Sequence, residues 1–120
     1  MSQGANWMST EQREIADGTL VVRTERNSES RVIAFCGELD LANAGTAESA
    51  LQEAIEDDAQ VVVDMRELEF IDSTGIALLV AALNRNQDET RIRFVPSTSP
   101  AVTRVLELTG LAERLPLADA

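Results

Sequence analysis

The amino-acid sequence predicts an α/β fold in which helices pack on a mixed β-sheet that starts with an N-terminal hairpin. Near the start of the chain, two β-branched runs are separated by polar turn residues. After them, strand-like runs alternate with segments whose apolar residues recur every three or four positions. The 120 residues, 44% of them hydrophobic, suffice for one domain with one core.

A polar stretch precedes the hairpin. Residues 1–17 contain only isolated apolar side chains, which predicts a polar tail or a loosely docked turn. Gly18 ends this stretch, so we expect the domain to span residues 18–120.

The hairpin is expected from residues 20–24 and 31–36, which are rich in β-branched and aliphatic side chains. Residues 27–30 between them are polar and suit a turn. The segment Gly37-Glu38-Leu39-Asp40 is then expected to break the second strand and lead into a helix.

The first helix should begin near Asn43, a good N-cap residue, and run to about Glu56. Its buried stripe is narrow because alanine dominates it. The stripe consists of Ala47, Ala50, Leu51, Ala54 and Ile55.

A buried strand at residues 61–64 and a helix over residues 73–86 form the centre of the chain. The connection between them carries Leu68, Phe70 and Ile71, which should fold back onto the core. The helix has one apolar face with helical spacing. This face consists of Ile76, Leu79, Val80 and Leu83.

A further strand and helix follow. The strand is expected at residues 91–95, and Ser99 followed by Pro100 is a strong helix start. Gly110 is the expected stop of this third helix. Residues 115–117 could add a last short strand. The inward face of the helix should consist of Val102, Val105, Leu106 and Thr109.

Three connections should meet at one edge of this sheet. When parallel strands are joined through helices, the connections are right-handed and the strands run in the same direction. Their carboxyl ends therefore lie at one edge of the sheet. Residues 37–40, 66–73 and 96–99 would gather there. Because sites in such sheets tend to occupy that edge, we expect the function there.

Composition and charge exclude several classes of function. The net charge of −11 and a pI near 4.3 leave no basic stripe for nucleic acid and no attraction to an anionic membrane surface. The N-terminus lacks a basic region followed by an apolar one, and no apolar run is long enough to span a bilayer. We therefore expect a cytoplasmic protein.

The residue types also limit the chemistry. The chain has no histidine, which excludes a Ser-His-Asp triad and histidine metal ligands. Its one cysteine, Cys36, excludes an internal disulfide and a cysteine metal cluster. Cys36 follows Phe35 in an apolar run, so we expect a small buried side chain rather than a reactive thiol. No cofactor and no metal are expected.

The residues Asp72-Ser73-Thr74-Gly75 stand where the second helix must begin. A catalytic serine on a nucleophile elbow is disfavoured, because the first glycine of that motif and a histidine base are absent. Two interpretations remain open. Ser73 accepts a phosphate group, or Asp72, Ser73 and Thr74 only cap the helix. A helix N-terminus tolerates added negative charge, so a phosphate would act on a docking partner rather than on the helix.

The chain resembles the STAS domain family, specifically the bacterial anti-sigma factor antagonists. Three blocks carry the resemblance, in the order and spacing of the family. They are Gly37-Glu38-Leu39-Asp40, Phe70-Ile71-Asp72-Ser73-Thr74-Gly75-Ile76, and the segment from Ser99-Pro100-Ala101-Val102 to Leu108-Thr109-Gly110-Leu111. The second block is the most specific. After it, Ile76-Ala77-Leu78 stands where many members have a second glycine.

The resemblance implies a phosphorylation switch. In the family, the serine directly after the motif aspartate is phosphorylated by the cognate anti-sigma factor, an ATP-dependent serine kinase. The matching residue is Ser73. The unphosphorylated antagonist binds this kinase and releases the sigma factor, and a PP2C-type phosphatase restores it. The implied partner-binding residues are Asp40, Asp72, Ser73, Thr74 and Gly75. For Asp40, a plain turn residue is an equally good interpretation.

Three function hypotheses follow. The leading one is a non-enzymatic antagonist regulated by phosphorylation in a partner-switching pathway. The second is a STAS scaffold or a cytoplasmic transporter-associated subunit that is never phosphorylated. The third, an enzyme or nucleotide-binding protein, is disfavoured because the sequence lacks a P-loop and a dinucleotide fingerprint. The sequence leaves the oligomeric state undetermined.

Overall fold

A six-stranded β-sheet and three α-helices make up the described part of the chain. The computed structural model describes residues 11–56, 59–85 and 91–118. The helices are α1 (Ala44–Glu56), α2 (Ser73–Arg85) and α3 (Pro100–Leu108). The strands are β1 (Glu11–Asp17), β2 (Leu20–Arg26), β3 (Ser30–Leu39), β4 (Gln60–Asp64), β5 (Leu68–Ile71) and β6 (Ile92–Val95). The predicted α/β class is therefore confirmed.

The sheet is mixed, with strand order β1-β2-β3-β4-β6. The first three strands pair antiparallel, and β3, β4 and β6 pair parallel. Strand β5 pairs parallel with the last residues of β3. The hairpin predicted between β2 and β3 is confirmed, and Asn27 stabilises its turn. The Asn27 Oδ1 atom accepts the backbone N–H groups of Glu29 and Ser30 at 2.9 and 2.8 Å.

Strand β1 was not predicted. Residues 11–17, assigned from the sequence to a polar tail, pair residue by residue with β2. Every side chain of β1 before Asp17 is exposed. An edge strand held by backbone hydrogen bonds needs no apolar alternation, which is why the sequence pattern missed it. The rest of the predicted tail, residues 1–10, lies outside the described residues.

Gly37 bends the third strand instead of ending it. The expected break at residues 37–40 is wrong, because β3 continues to Leu39 through a bulge between Gly37 and Glu38. Gly37 has φ +102°, a backbone conformation that favours glycine. Its N–H group donates to the Glu67 carbonyl at 3.0 Å, and the Glu38 N–H group donates to the Thr19 carbonyl at 3.2 Å.

The core lies between the helices and one face of the sheet. Alternate strand residues, such as Phe35 and Phe94, join the buried faces of all three helices in one cluster. Predicted inward residues of α1 are buried, except Ala50, which is partly buried against the core. No helix in the described residues is long and apolar enough to cross a membrane.

Predicted inward positions of α2, β5 and the end of α3 need correction. The buried residues of α2 are Gly75, Leu78, Leu79 and Ala82, whereas Ile76, Val80 and Leu83 are only partly buried. Phe70 is 44% exposed, because β5 turns Leu68 and Ile71 inward. Thr109 is exposed.

The C-terminal signals are largely confirmed. Helix α3 begins at Pro100 after Ser99, and Gly110 follows it with φ +77°. The last predicted strand is reduced to one bridge between Leu117 and Phe94. Helix α2 is described to Arg85, and its predicted end at residue 86 lies outside the described part.

Candidate functional site

The three predicted connections meet at the carboxyl edge of the sheet, as expected. The backbone N–H group of Asp72 donates to the Leu39 carbonyl at 3.1 Å. Three hydroxyl groups of the segment before α3 bond to carbonyl groups around β5. These bonds run from Ser97 to Leu68 at 2.7 Å, from Thr98 to Arg66 at 3.3 Å, and from Ser99 to Glu69 at 3.1 Å.

Asp72 joins the start of α2 to the loop after β3. Its Oδ1 atom accepts the N–H groups of Thr74 at 2.9 Å and Gly75 at 3.1 Å, which is N-cap geometry. Its Oδ2 atom accepts the N–H group of Leu41 at 3.1 Å. The capping role predicted for Asp72 is therefore present, with a second role that the sequence did not indicate.

Ser73 is the first residue of α2, and its side chain is exposed. Thr74 is half-buried, and Gly75 is buried. A Cβ atom added at Gly75 would lie 2.5 Å from Cγ1 of Ile71 and 3.0 Å from Cγ of Leu39. Because glycine lets the first turn of α2 lie close to β3 and β5, Gly75 fixes the position from which Ser73 is presented.

Asn43 organises the loop that carries Asp40. Its Oδ1 atom accepts the Asp40 N–H group at 3.0 Å, and its Nδ2 atom donates to the Glu38 carbonyl at 2.9 Å. Asn43 stands directly before α1, as predicted, but its buried side chain holds the loop instead of capping the helix. Asp40 Oδ1 accepts the Ala42 N–H group at 3.0 Å, so the turn role of Asp40 is present, and its role in binding a partner stays a prediction.

Leu41 is an apolar side chain that sequence reasoning missed. It is 76% exposed, and Asp72 holds its backbone next to the start of α2. It borders a groove of about 350 Å³ between α1 and α2. The other lining residues are Ala44, Gly45, Glu48, Thr74, Ala77, Leu78 and Ala81. The sequence signal for this exposed side chain was its position directly after the turn residue Asp40.

The electrostatics of this edge come from carboxylates and one tight ion pair. Arg66 Nη2 lies 2.8 Å from Asp64 Oδ2, and this hydrogen bond to Arg66 lowers the pKa of Asp64.

Burial raises the pKa of the Cys36 thiol, which disfavours the reactive thiolate. Cys36 is half-buried, so the predicted buried position is only partly correct. Among the residues that the structure describes, no three His, Cys, Asp or Glu side chains cluster as metal ligands.

This arrangement suits recognition by another protein. It presents an exposed hydroxyl group, an exposed leucine and a shallow apolar groove, held by a network of backbone hydrogen bonds. Of the predicted site residues, Asp72, Ser73, Thr74 and Gly75 form one turn, and Asp40 is connected to that turn through Leu41.

Replacing Asp72 with alanine should lower the free energy of unfolding by about 1–2 kcal/mol, because three backbone N–H groups lose their acceptor. Urea denaturation measures this. Asp72→Asn keeps one acceptor oxygen and should lose less than Asp72→Ala. Asp40→Ala, which frees one N–H group, is the matched control. Equal losses for Asp72→Ala and Asp40→Ala would contradict the joining role.

Comparisons with known proteins identify relatives over nearly the whole chain. A family model for the STAS domain matches residues 21–120. The anti-sigma F factor antagonist of Paenibacillus polymyxa is 24% identical over 102 residues, which cover 83% of this chain and 87% of that protein.

Solved structures give the same result. The crystal structure of an anti-sigma factor antagonist from Mycobacterium paratuberculosis matches with a TM-score of 0.76 and 28% identity, covering 88% of this chain and 90% of that one. The unphosphorylated form of the anti-sigma factor antagonist SpoIIAA matches with a TM-score of 0.62 over 92% of this chain and 89% of that one. At 18% identity, the second likeness is one of fold.

Proposed function

Because the chain belongs to the STAS domain family, we propose that it is an anti-sigma factor antagonist that works as a phosphorylatable switch. In its unphosphorylated form it binds an anti-sigma factor that is also an ATP-dependent serine kinase, and the sigma factor is freed. Phosphorylation of Ser73 by this kinase ends the binding, and a PP2C-type phosphatase restores it. The protein acts in the cytoplasm as a binding protein rather than an enzyme. The names of its relatives support this proposal.

The position of Ser73 carries the proposal. Ser73 is exposed at the first position of α2, directly after the capping Asp72, so its hydroxyl group is accessible to a kinase. Thr74, the neighbouring hydroxyl residue, is half-buried. The difference in exposure favours Ser73 as the phosphate acceptor.

The hydrogen bonds of Asp72 indicate how the phosphate acts. The N–H groups of Thr74 and Gly75, which could bind an anion at a helix N-terminus, already donate to Asp72. A phosphate on Ser73 therefore lies beside a carboxylate and faces outward. It carries about −1.5 to −2 charges and a tightly held hydration shell, which a partner docking there would have to displace. The switch thus acts between molecules.

The proposed docking surface is acidic and contains an apolar anchor. It comprises the predicted residues Asp40, Asp72, Ser73 and Thr74 together with Leu41 and Glu48, and the buried Gly75 shapes the turn beneath them. Leu41 offers exposed apolar area, and the carboxylates favour a partner with arginine or lysine at the contact.

Reconstitution with the cognate anti-sigma factor kinase and its sigma factor tests this function. The unphosphorylated chain should displace the sigma factor from the kinase, as measured by size-exclusion chromatography of the mixture. After incubation with ATP, the sigma factor should return to the kinase. Displacement that is unaffected by ATP would contradict a phosphorylation switch, and no displacement would contradict antagonism altogether.

A further inference from the structure

A small groove lies between α1 and the end of the sheet that is formed by the start of β1, the end of β2 and the start of β3. We call it the N-terminal groove, and its volume is about 110 Å³. Among its lining residues, Ile33 and Ala54 belong to the core, whereas Ala50 is only half-buried. The groove therefore leaves the rim of the core uncovered between the sheet and the helix.

Side chains tie strand β1 to α1 beside this groove. Thr46 Oγ1 donates to Asp17 Oδ2 at 2.6 Å, and Arg13 Nη1 lies 3.7 Å from Glu53 Oε1. These contacts place the odd-numbered side chains of β1 on the helix side of the sheet. Glu11 belongs to this set and lines the groove. The chain that precedes β1 therefore enters the described structure at the groove.

The size and charge of the groove favour one uncharged side chain as its occupant. Sites for small molecules usually enclose about 300–1,000 Å³, and this groove is smaller. Its charged lining residues are three arginines and three glutamates, so a charged group meets no excess of the opposite sign. They are Arg13, Arg26, Arg31, Glu11, Glu25 and Glu53. An apolar side chain, in contrast, would cover the rim of the core.

Residues 1–10 supply such a side chain. They contain no charged side chain, and Trp7 is their largest apolar residue. Trp7 stands four positions before Glu11, a reach of about 13 Å for an extended chain. The distance from β1 across β2 to β3 is about 10 Å, because neighbouring strands lie about 4.8 Å apart. A segment that turns back at Glu11 can therefore carry Trp7 across the groove to β3.

The arginines of the groove favour tryptophan over other apolar side chains. A guanidinium group stacks on an aromatic face, and tryptophan gives the strongest contact of this kind. Arg31 is half-buried, and its Nη1 atom donates to the carbonyl groups of Asn27 and Ser30 at 2.7 and 3.0 Å. These bonds use the edge of the guanidinium group. An indole ring can stack on its flat face without breaking them.

We propose that Trp7 docks in the N-terminal groove of its own chain, so that residues 7–10 fold back from β1 over β3 and α1. The indole ring then extends the core over Ile33 and Ala50 and links the edge strand β1 to the rest of the domain. The docked segment leaves Ser73 accessible, because the groove lies where β1 and β3 begin and Ser73 follows the carboxyl end of β5. The proposal is independent of the phosphorylation switch.

Fluorescence of the full chain tests the proposal, because Trp7 is its only tryptophan and it has no tyrosine. Acrylamide should quench Trp7 at least about three-fold less in the folded chain than in urea, since docking removes much of the indole ring from water. This protection should not change with protein concentration, because the occupant belongs to the same chain. In proton NMR spectra, the indole protons should show nuclear Overhauser contacts to the Ala50 methyl group.

Ala50→Gln places a larger side chain in the groove and should make quenching of Trp7 at least about two-fold stronger. Ala101→Gln is the matched control, because Ala101 is exposed on α3, and it should leave the quenching unchanged. Circular dichroism checks that both variants fold. If Ala50→Gln does not fold, the nuclear Overhauser contacts of the natural chain decide the proposal.

Three results would overturn the proposal. One is quenching of Trp7 in the folded chain that is as strong as in urea. The second is protection of Trp7 that survives Ala50→Gln in a folded chain. The third is protection that disappears on dilution, which would assign the groove to Trp7 of a second copy.

Discussion

Replacing Ser73 with aspartate should weaken binding to the proposed anti-sigma factor kinase by at least about 100-fold. The new carboxylate would join Asp72 at an exposed turn, where no N–H group of Thr74 or Gly75 is left to bind it. The proposed partner fits an uncharged Ser73, so docking would remove the added charge from water without a matching partner group, and such an uncompensated buried charge costs several kcal/mol. Isothermal titration calorimetry with the purified kinase measures the loss.

Two variants separate charge from shape at this position. Ser73→Asn introduces a side chain of the size of aspartate without its charge, and Ser73→Ala removes the phosphate acceptor. Both should bind within about five-fold of the natural chain, since neither adds a charged group to be desolvated. A loss for Ser73→Asn as large as that for Ser73→Asp would show that steric fit, not charge, controls binding.

Replacing Gly37 with alanine should lower the free energy of unfolding by about 3 kcal/mol or more. Gly37 has φ +102°, where an L-residue is strained by about 1–3 kcal/mol. In addition, the new Cβ atom would overlap the carbonyl oxygen of Thr19, a backbone atom that already accepts the Glu38 N–H group. The backbone of the hairpin must shift to relieve the overlap. Urea denaturation measures the change.

Gly45→Ala is the control for this substitution. Gly45 lies in the first turn of α1, and an added Cβ atom would meet no atom within 4 Å. Alanine there should stabilise the chain by about 0.5 kcal/mol, because it restricts the unfolded chain and favours the helix. If the two substitutions had the same effect, the bulge at Gly37 would not be a strained position.

Local signals in the sequence predicted the elements whose ends are fixed by their own residues. Ser99 before Pro100 and Gly110 after α3 delimit that helix by dihedral preference, and the structure places all three as expected. Capping by Asp72 was one of the two interpretations of its turn, because a short side-chain acceptor precedes the apolar face of α2. The gathering of three loops at one edge followed from the crossover rule alone.

The remaining features depend on contacts between distant segments. Strand β1 carries no apolar alternation, because its pairing with β2 uses the backbone. Asn43 has the residue type of an N-cap. Its buried side chain instead forms hydrogen bonds with the backbone of Asp40 and Glu38. The link from Asp72 to Leu41 spans 31 positions and has no local pattern. These are the features that position the candidate site.

The proposed switch depends on where the phosphate is attached. The most direct test incubates the chain with its cognate anti-sigma factor kinase and ATP, then maps the phosphate by tandem mass spectrometry. Ser73→Ala and Thr74→Ala are analysed in parallel. We expect one phosphate on Ser73 in the natural chain and in Thr74→Ala, and none in Ser73→Ala. A phosphate on another residue, or an unmodified chain beside an active kinase, would contradict the proposed switch.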